Sequence, residues 1–311
     1  MSFGFHTTTD EVLDGVDLTG TAVLVTGASV GLGEETTRAL ASRGARVTMA
    51  VRDLGRGDAA VERIRAGVPD ADIELRELDL ASFASIRAFA SSFLAEQDRL
   101  QVLIDNAGVM ACPQGTTADG FETQFGTNHL GHFLLTTLLL PALLAGAPSR
   151  VVVLTSAGHK VSDVDLEDPS FERTPYDPWV GYGRSKTANA LFANELDRRH
   201  GDAGLHAWSV HPGAILTDLG RHLTAETMEA MQVARRGRPA PEFKSVPEGA
   251  ATSVWAATDE GLLEYGGRYL EDCGVADVIT DAVTPNGVMA YAQDPDRAAA
   301  LWRLSEQLTT T

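Results

Sequence analysis

Apolar residues in this chain follow two rhythms. Short apolar runs read as strands buried on both faces: Ala22 to Val25, Arg46 to Val51, Leu100 to Ile104, Arg150 to Thr155 and Leu205 to Val210. Ile73 to Leu78 alternates apolar and charged residues and also reads as a strand. Between these runs, apolar positions recur three and four apart, as on helices packed against a body. One helix follows the first strand as far as Arg43, and a second covers Gly55 to Ala66. Ser82 caps a third, with Ile86, Phe89, Phe93 and Leu94 as its stripe. A long helix is expected over about Gly120 to Leu140 and another over Tyr182 to Arg199. Ser245-Val246-Pro247-Glu248 has the form of a capping box opening a helix through Thr258. Gly266 to Leu270 reads as a seventh strand. Ala298, Leu301, Leu304 and Leu308 share one face of a final helix.

Strands alternating with helices imply right-handed βαβ units. The expected fold is therefore α/β: a doubly wound, seven-stranded parallel sheet with helices on both faces. Residues 18–311 form one domain, and Met1 to Asp17 is a polar N-terminal extension. Two segments break the alternation. Gly158 to Val180, rich in Asp, Pro and Ser, is an insertion. Leu216 to Val246 leaves the sixth strand where open α/β sheets bind ligands, and is expected to act as a substrate lid. Leu216, Leu219 and Leu223 recur at helical spacing there, with Met228 and Met231 among polar residues.

The turn after the first strand carries glycines at Gly27, Gly31 and Gly33, spaced G-x-x-x-G-x-G. Glycine permits the tight turn and close backbone approach to a ligand. A helix begins at this turn, so its free N–H groups and positive dipole end suit a pyrophosphate.

Composition narrows the partners. The chain has 311 residues, 44% of them hydrophobic, and a formal charge of −18. That charge argues against nucleic acid as a main partner. Cys112 and Cys273 are too few for a disulfide framework and read as free thiols in a reducing compartment. The N-terminus lacks the form of a signal peptide. The apolar stretch Phe133 to Leu144, broken by Thr136, Thr137 and Pro141, falls short of the ~20 residues that span a bilayer. A cytoplasmic protein with no membrane span is expected. His129, His132 and His159 lack the acid or cysteine that would complete a metal set. Arg235-Arg236-Gly237-Arg238 reads as a solvated basic loop.

Further motifs join the glycine turn. Thr26 to Gly33 reads T-G-x-x-x-G-x-G, Asn106 to Gly108 reads N-A-G, and Tyr182 to Lys186 reads Y-x-x-x-K. Asn128 lies in the long helix, Ser156 ends the fifth strand, and Pro212-Gly213 follows the sixth. In this order, over about Leu18 to Leu270, the chain resembles the short-chain dehydrogenase/reductase family. Within it, Val51-Arg52-Asp53, the stretch Gly126 to Phe133, and Gly266 to Leu270 look most like the retinol-dehydrogenase and WW-domain-oxidoreductase branch. That branch's membrane anchor and WW domain are not expected here, so a retinoid substrate does not follow.

The resemblance implies a Rossmann-type fold and hydride transfer between nicotinamide and a carbonyl or alcohol. A free tyrosine, with pKa about 10, is a sluggish acid near neutrality. An ammonium one helical turn away stabilises the phenolate. Tyr182 is thus the expected general acid/base and Lys186 its tuner, which by analogy also holds the nicotinamide ribose. Ser156 would bind the substrate oxygen. Asn128 would fix a water linking Lys186 to solvent.

For the cofactor, the family's NAD-selecting acid would fall on Val51, and the next residue is Arg52, where members preferring NADP carry a base. NADP(H) is therefore expected, with NAD the alternative. Ser29, Val30 and Leu32 complete the glycine turn. Asp79 and Leu80 would border adenine, Asn106, Ala107 and Gly108 would pass the ribose, and Pro212, Gly213, Ile215 and Thr217 would meet the nicotinamide end. A bulky hydrophobic small molecule is the expected substrate. A non-catalytic dinucleotide-binding regulator would show damage at Ser156, Tyr182 or Lys186, and none shows. A homo-oligomer is left open.

Overall fold

The structure is a computed structural model that describes residues 3–224, 229 and 242–310. In chain order its regular elements begin with α1 (Thr9–Val12), β1 (Ala22–Thr26), α2 (Gly31–Ala41), β2 (Arg46–Val51) and α3 (Leu54–Gly67). Next come β3 (Ile73–Glu77), α4 (Phe83–Glu96), β4 (Val102–Asp105), a π-helix (Phe125–Leu130) and α5 (Gly131–Ala145). Then follow β5 (Ser149–Leu154), α6 (Pro178–His200), β6 (Leu205–His211), β7 (Ala214–Ile215) and β8 (Phe243–Lys244). The chain closes with α7 (Val246–Thr258), β9 (Tyr269–Glu271), β10 (Gly274–Val275), β11 (Val278–Ile279), β12 (Val288–Met289) and α8 (Pro295–Thr309).

The main sheet runs β10-β9-β6-β5-β4-β1-β2-β3. Its seven strands from β9 to β3 are parallel, and β10 adds a short antiparallel edge. The central strands are buried but for Ala22 and Arg150, because helices cover both faces. Two apolar clusters fill the two sides: Phe93, Phe125, Phe133 and Leu191 on one, and Val25, Met49, Trp208 and Val254 on the other. After β3 the chain returns past β1 to form β4, so the strand order reverses between β1 and β4. The crevice at that switch point is where doubly wound folds bind ligands.

Three elements differ from the sequence reading. The long helix starts near Thr123, and Phe125–Leu130 within its first turns form a π-helix. Together Phe125–Ala145 are long and apolar enough to cross a bilayer, but 67% of the most apolar stretch is buried inside the protein, so this is a core helix. The seventh strand begins at Tyr269, because Gly266 and Gly267 (φ +76°) turn into it. Leu216, Leu219 and Leu223 do not form one buried helical face. Thr217 caps a short 3-10 turn, Asp218–His222, which leaves Leu216 79% exposed. Met228, Met231 and the arginines at 235, 236 and 238 lie outside the described residues.

The N-terminal extension is anchored rather than loose. A capping box between Thr8 and Glu11 starts α1. Leu13 is fully buried, Arg38 pairs with Asp10, and Thr9 bonds Glu35.

Candidate active site

The glycine turn lies at the switch point with the shape a pyrophosphate requires. Gly27 has φ +64°, and a Cβ there would stand 2.8 Å from the Ala107 Cα. A Cβ on Gly33 would sit 2.5 Å from the Gly27 carbonyl oxygen and from Asn106 Nδ2. Glycine at these places lets β1, α2 and the 106–108 segment close up. Val30 is the N-cap of α2 and offers no side-chain acceptor. No side-chain cap therefore claims the first-turn amides of α2, a donor set that fits an anionic dinucleotide. Ser29 gives its carbonyl to Arg63, which also pairs with Glu34.

The 106–108 segment is pinned by Thr26. Its hydroxyl accepts from the amides of Asn106 (2.9 Å) and Ala107 (3.0 Å) and lies 2.9 Å from His132 Nε2. His132 Nδ1 in turn stands 2.9 Å from the Asn128 carbonyl oxygen. The bonds are mutually consistent if Thr26 donates to Nε2 and Nδ1–H donates to Asn128. Burial holds His132 neutral, with its pKa pushed down to about 4. The histidine is thus a strut between two candidate segments.

Asn128 is fully buried. Its amide donates to Val109 O (2.9 Å) and Ser185 Oγ (3.0 Å) and accepts from Val109 N (2.8 Å). Ser185 passes a hydrogen bond to the Tyr182 carbonyl. Asn128 therefore joins the end of the 106–109 segment to α6.

Asp177 caps α6, and Pro178 occupies its first turn. Tyr182 and Lys186 point from this helix toward the end of β5. Gly158 lies against the Tyr182 ring: a Cβ there would stand 2.7 Å from two ring carbons and 3.5 Å from Ser156 Oγ. Ser156 caps the turn Ala157–Lys160 and accepts from the Gly158 amide. Burial pushes the Tyr182 phenol up to about 12, opposed by a hydrogen bond with Ser156. Lys186 Nζ is 5.8 Å from the centre of the Tyr182 ring and donates to the Leu154 carbonyl at 2.9 Å. Its pKa is pulled down to about 8 by burial. In this arrangement burial, opposed by Ser156, sets the Tyr182 phenol, while Nζ is held by that carbonyl. A Cβ on Gly108 would lie 3.3 Å from Asn128 Oδ1 and 3.7 Å from Lys186 Nζ, so these residues converge.

After β6 the chain folds back over the glycine turn. Gly213 has φ +96°. Ile215 and Leu32 meet above Gly249 of α7, and Thr217 Cγ2 lies 3.3 Å from the Cβ position of Gly31. Arg52 is exposed at the end of β2. Asp53 is committed locally, its carboxylate capping α3 through the Arg56 amide. Asp79 likewise accepts from the Ala81 amide, while Leu80 is buried against Gly131.

This single constellation at the switch point coincides with a family match. The sequence profile of the short chain dehydrogenases covers residues 21–228. The chain belongs to the short-chain dehydrogenase family. Retinol dehydrogenase 12 of Homo sapiens is 45% identical over 293 residues, covering 94% of this chain and 87% of the relative. Short-chain dehydrogenase/reductase prx1 of Penicillium rubens is 43% identical over 288 residues, covering 91% and 83%. Among solved structures, an uncharacterized protein from Mycobacterium paratuberculosis superposes with a TM-score of 0.74 at 36% identity, covering 98% of each chain. As a short-chain dehydrogenase the protein is an oxidoreductase that uses a nicotinamide dinucleotide.

Sequence reasoning missed several supports of this short-chain dehydrogenase site. The sequence offers His132 as a possible metal ligand and as part of the Gly126 to Phe133 stretch but not as a strut, and it marks no role for Gly158, two residues beyond Ser156. His159 is buried and ties the serine turn to the C-terminal segment. Its Nδ1 lies 2.7 Å from Ser156 O, its Nε2 accepts from the Met289 amide, and its carbonyl accepts from Tyr291. His129 packs in the core, with Nε2 2.8 Å from Ser305 Oγ.

Proposed function

We propose that this short-chain dehydrogenase is an NADP(H)-dependent alcohol dehydrogenase or carbonyl reductase acting on a bulky hydrophobic ketone, aldehyde or secondary alcohol. The observation that carries the reading is the meeting of Tyr182, Ser156 and Lys186 beside Gly108 and Asn128. A bound nicotinamide would supply the hydride. Tyr182 then gives its phenolic proton to the carbonyl oxygen, leaving an alcohol and a tyrosinate. Ser156 Oγ steadies the charge that develops on that oxygen. Lys186, charged below about pH 8, offsets the tyrosinate and holds the ribose. A phenol with pKa about 12 keeps its proton at neutral pH, so the proton to be donated is in place before the carbonyl binds.

Two features support NADP(H). Arg52 is exposed where the adenosine ribose would lie, and Asp53, the acid that follows it in sequence, is occupied as a helix cap. Two features support an apolar substrate. The ring of Trp179 meets that of Tyr182 edge-on at 6.4 Å, so the proton donor has an aromatic neighbour. The similar human protein carries the name of an apolar alcohol, retinol.

Oxidation of NADPH against ketones, aldehydes and quinones, paired with cofactor binding, tests the reading. A charge-assisted hydrogen bond from Arg52 is worth roughly 1.5–3 kcal/mol, so NADPH should bind about 10-fold or more tighter than NADH. Arg52→Ala should erase that ratio. Equal dissociation constants in the wild type would refute the cofactor assignment, and turnover confined to small charged carbonyls would refute the substrate class.

A further inference from the structure

Lys244 stands out among the described residues as a lysine whose side chain is 1% exposed in a segment of polar sequence. It lies in β8, paired with β7 in the register Ala214 to Phe243 and Ile215 to Lys244. Its stem runs directly beneath Gly213: a Cβ on that glycine would stand 2.9 Å from Lys244 Cδ and 3.0 Å from Cε. Its ammonium meets Asp272 Oδ1 at 2.6 Å and lies 4.7 Å from the centre of the Phe5 ring. Asp272 belongs to the turn between β9 and β10. There both Asp272 (φ +51°) and Cys273 (φ +53°) adopt the left-handed conformation that side chains other than glycine rarely take.

These contacts join at one place. β6 and β9 are neighbours, with His211 opposite Glu271, so Asp272 emerges beside the Pro212-Gly213 exit from β6. A two-residue strand pair such as β7 with β8 cannot hold itself together. The buried charge supplies the constraint, since a lysine out of water is costly unless it keeps its partner. We propose that Lys244, locked to Asp272, is the positioning residue for the nicotinamide end of the cofactor, fixing Gly213 to Thr217 over the glycine turn. This rests on the proposed assignment of that segment to the nicotinamide.

The test compares whole cofactor with a fragment that reaches only the adenosine end. Dissociation constants for NADPH and for 2′,5′-ADP are measured by calorimetry on Lys244→Met, which keeps the stem and loses the charge. The same is done for Asp272→Asn, which removes the carboxylate's charge while tolerating the left-handed backbone. Both variants should weaken NADPH about 10-fold while 2′,5′-ADP stays within about twofold, because only the nicotinamide end loses its preorganised wall. Lys244→Arg should restore most of the loss. Equal weakening of both ligands, or none, would overturn the proposal. Should Lys244→Met fail to fold, Asp272→Asn carries the same comparison, since its amide oxygen can still accept a hydrogen bond from the buried ammonium. A wild-type protein that binds neither ligand would instead refute the dinucleotide reading, whereas tight wild-type binding with indifferent variants refutes the role of Lys244 alone.

Discussion

Asp105 offers a prediction whose size follows from its surroundings. It ends β4, next to the Asn106–Gly108 segment, and is fully buried. Thr136 Oγ1 donates to its Oδ2 at 3.0 Å, while Oδ1 has no hydrogen-bond partner. Burial raises its pKa to about 8, and the single hydrogen bond from Thr136 opposes this weakly. In the unfolded chain an aspartate titrates near about 3.9. The folded state therefore holds a proton that the unfolded state gives up. Its stabilisation is complete below about pH 4 and is lost as pH rises toward about 8.

Each pH unit in that window removes about 1.4 kcal/mol. Between about pH 5 and pH 7.5 the carboxyl alone should cost about 3 kcal/mol, or roughly 5–10 °C in Tm for a large domain. Asp105→Asn keeps the shape and an acceptor for Thr136 but cannot ionise. The amide brings an unpaired donor of its own, so the absolute difference at one pH means little. The change in that difference with pH is diagnostic. Thermal melts of both proteins across this range should show the wild type falling relative to the variant as pH rises. Curves that stay parallel would refute the buried protonated carboxyl.

Other outcomes follow from the site. Tyr182→Phe should cut turnover by about 100-fold or more while NADPH affinity holds, measured by steady-state kinetics and fluorescence titration. Reductive kcat/KM should hold up to about pH 8 and fall above it, because Lys186, its pKa pulled down to about 8 by burial, loses its charge there; a limb that falls only near the ordinary lysine value would contradict this. Gly158→Ala places a methyl within 2.7 Å of two Tyr182 ring carbons. It should lower turnover by about 10-fold or more with cofactor affinity unchanged, because a displaced phenol misaligns the proton donor.

The central strands were legible because burial on both faces demands near-continuous apolar runs such as Val23 to Val25 and Val151 to Leu154. The candidate chemistry was legible for a different reason. A turn that must admit a pyrophosphate needs glycine, and a proton donor beside a cation needs residues of particular types at fixed spacing. The π-helix was not legible, since Phe125 to Leu130 is buried nearly all round and such a pattern does not separate one helical pitch from another. The Leu216, Leu219 and Leu223 spacing misled, because spacing permits a buried helical face but does not compel one.

The supports of the site share a physical reason for having been invisible. Lys186 donates to Leu154 O, His132 to Asn128 O, His159 to Ser156 O and Tyr291 to His159 O. In each, the acceptor is a main-chain carbonyl, which every residue carries. A side chain that binds a backbone group leaves no complementary residue type to find in the sequence. Lys244 shows the other half of the difficulty. Its partner Asp272 is reached only because β6 and β9 lie side by side, so its burial is a property of the topology. The reacting groups are therefore written as motifs, while the groups that aim them are written in the fold. A search of such a chain for residues that tune activity should begin with buried polar side chains bonded to carbonyls around the crevice.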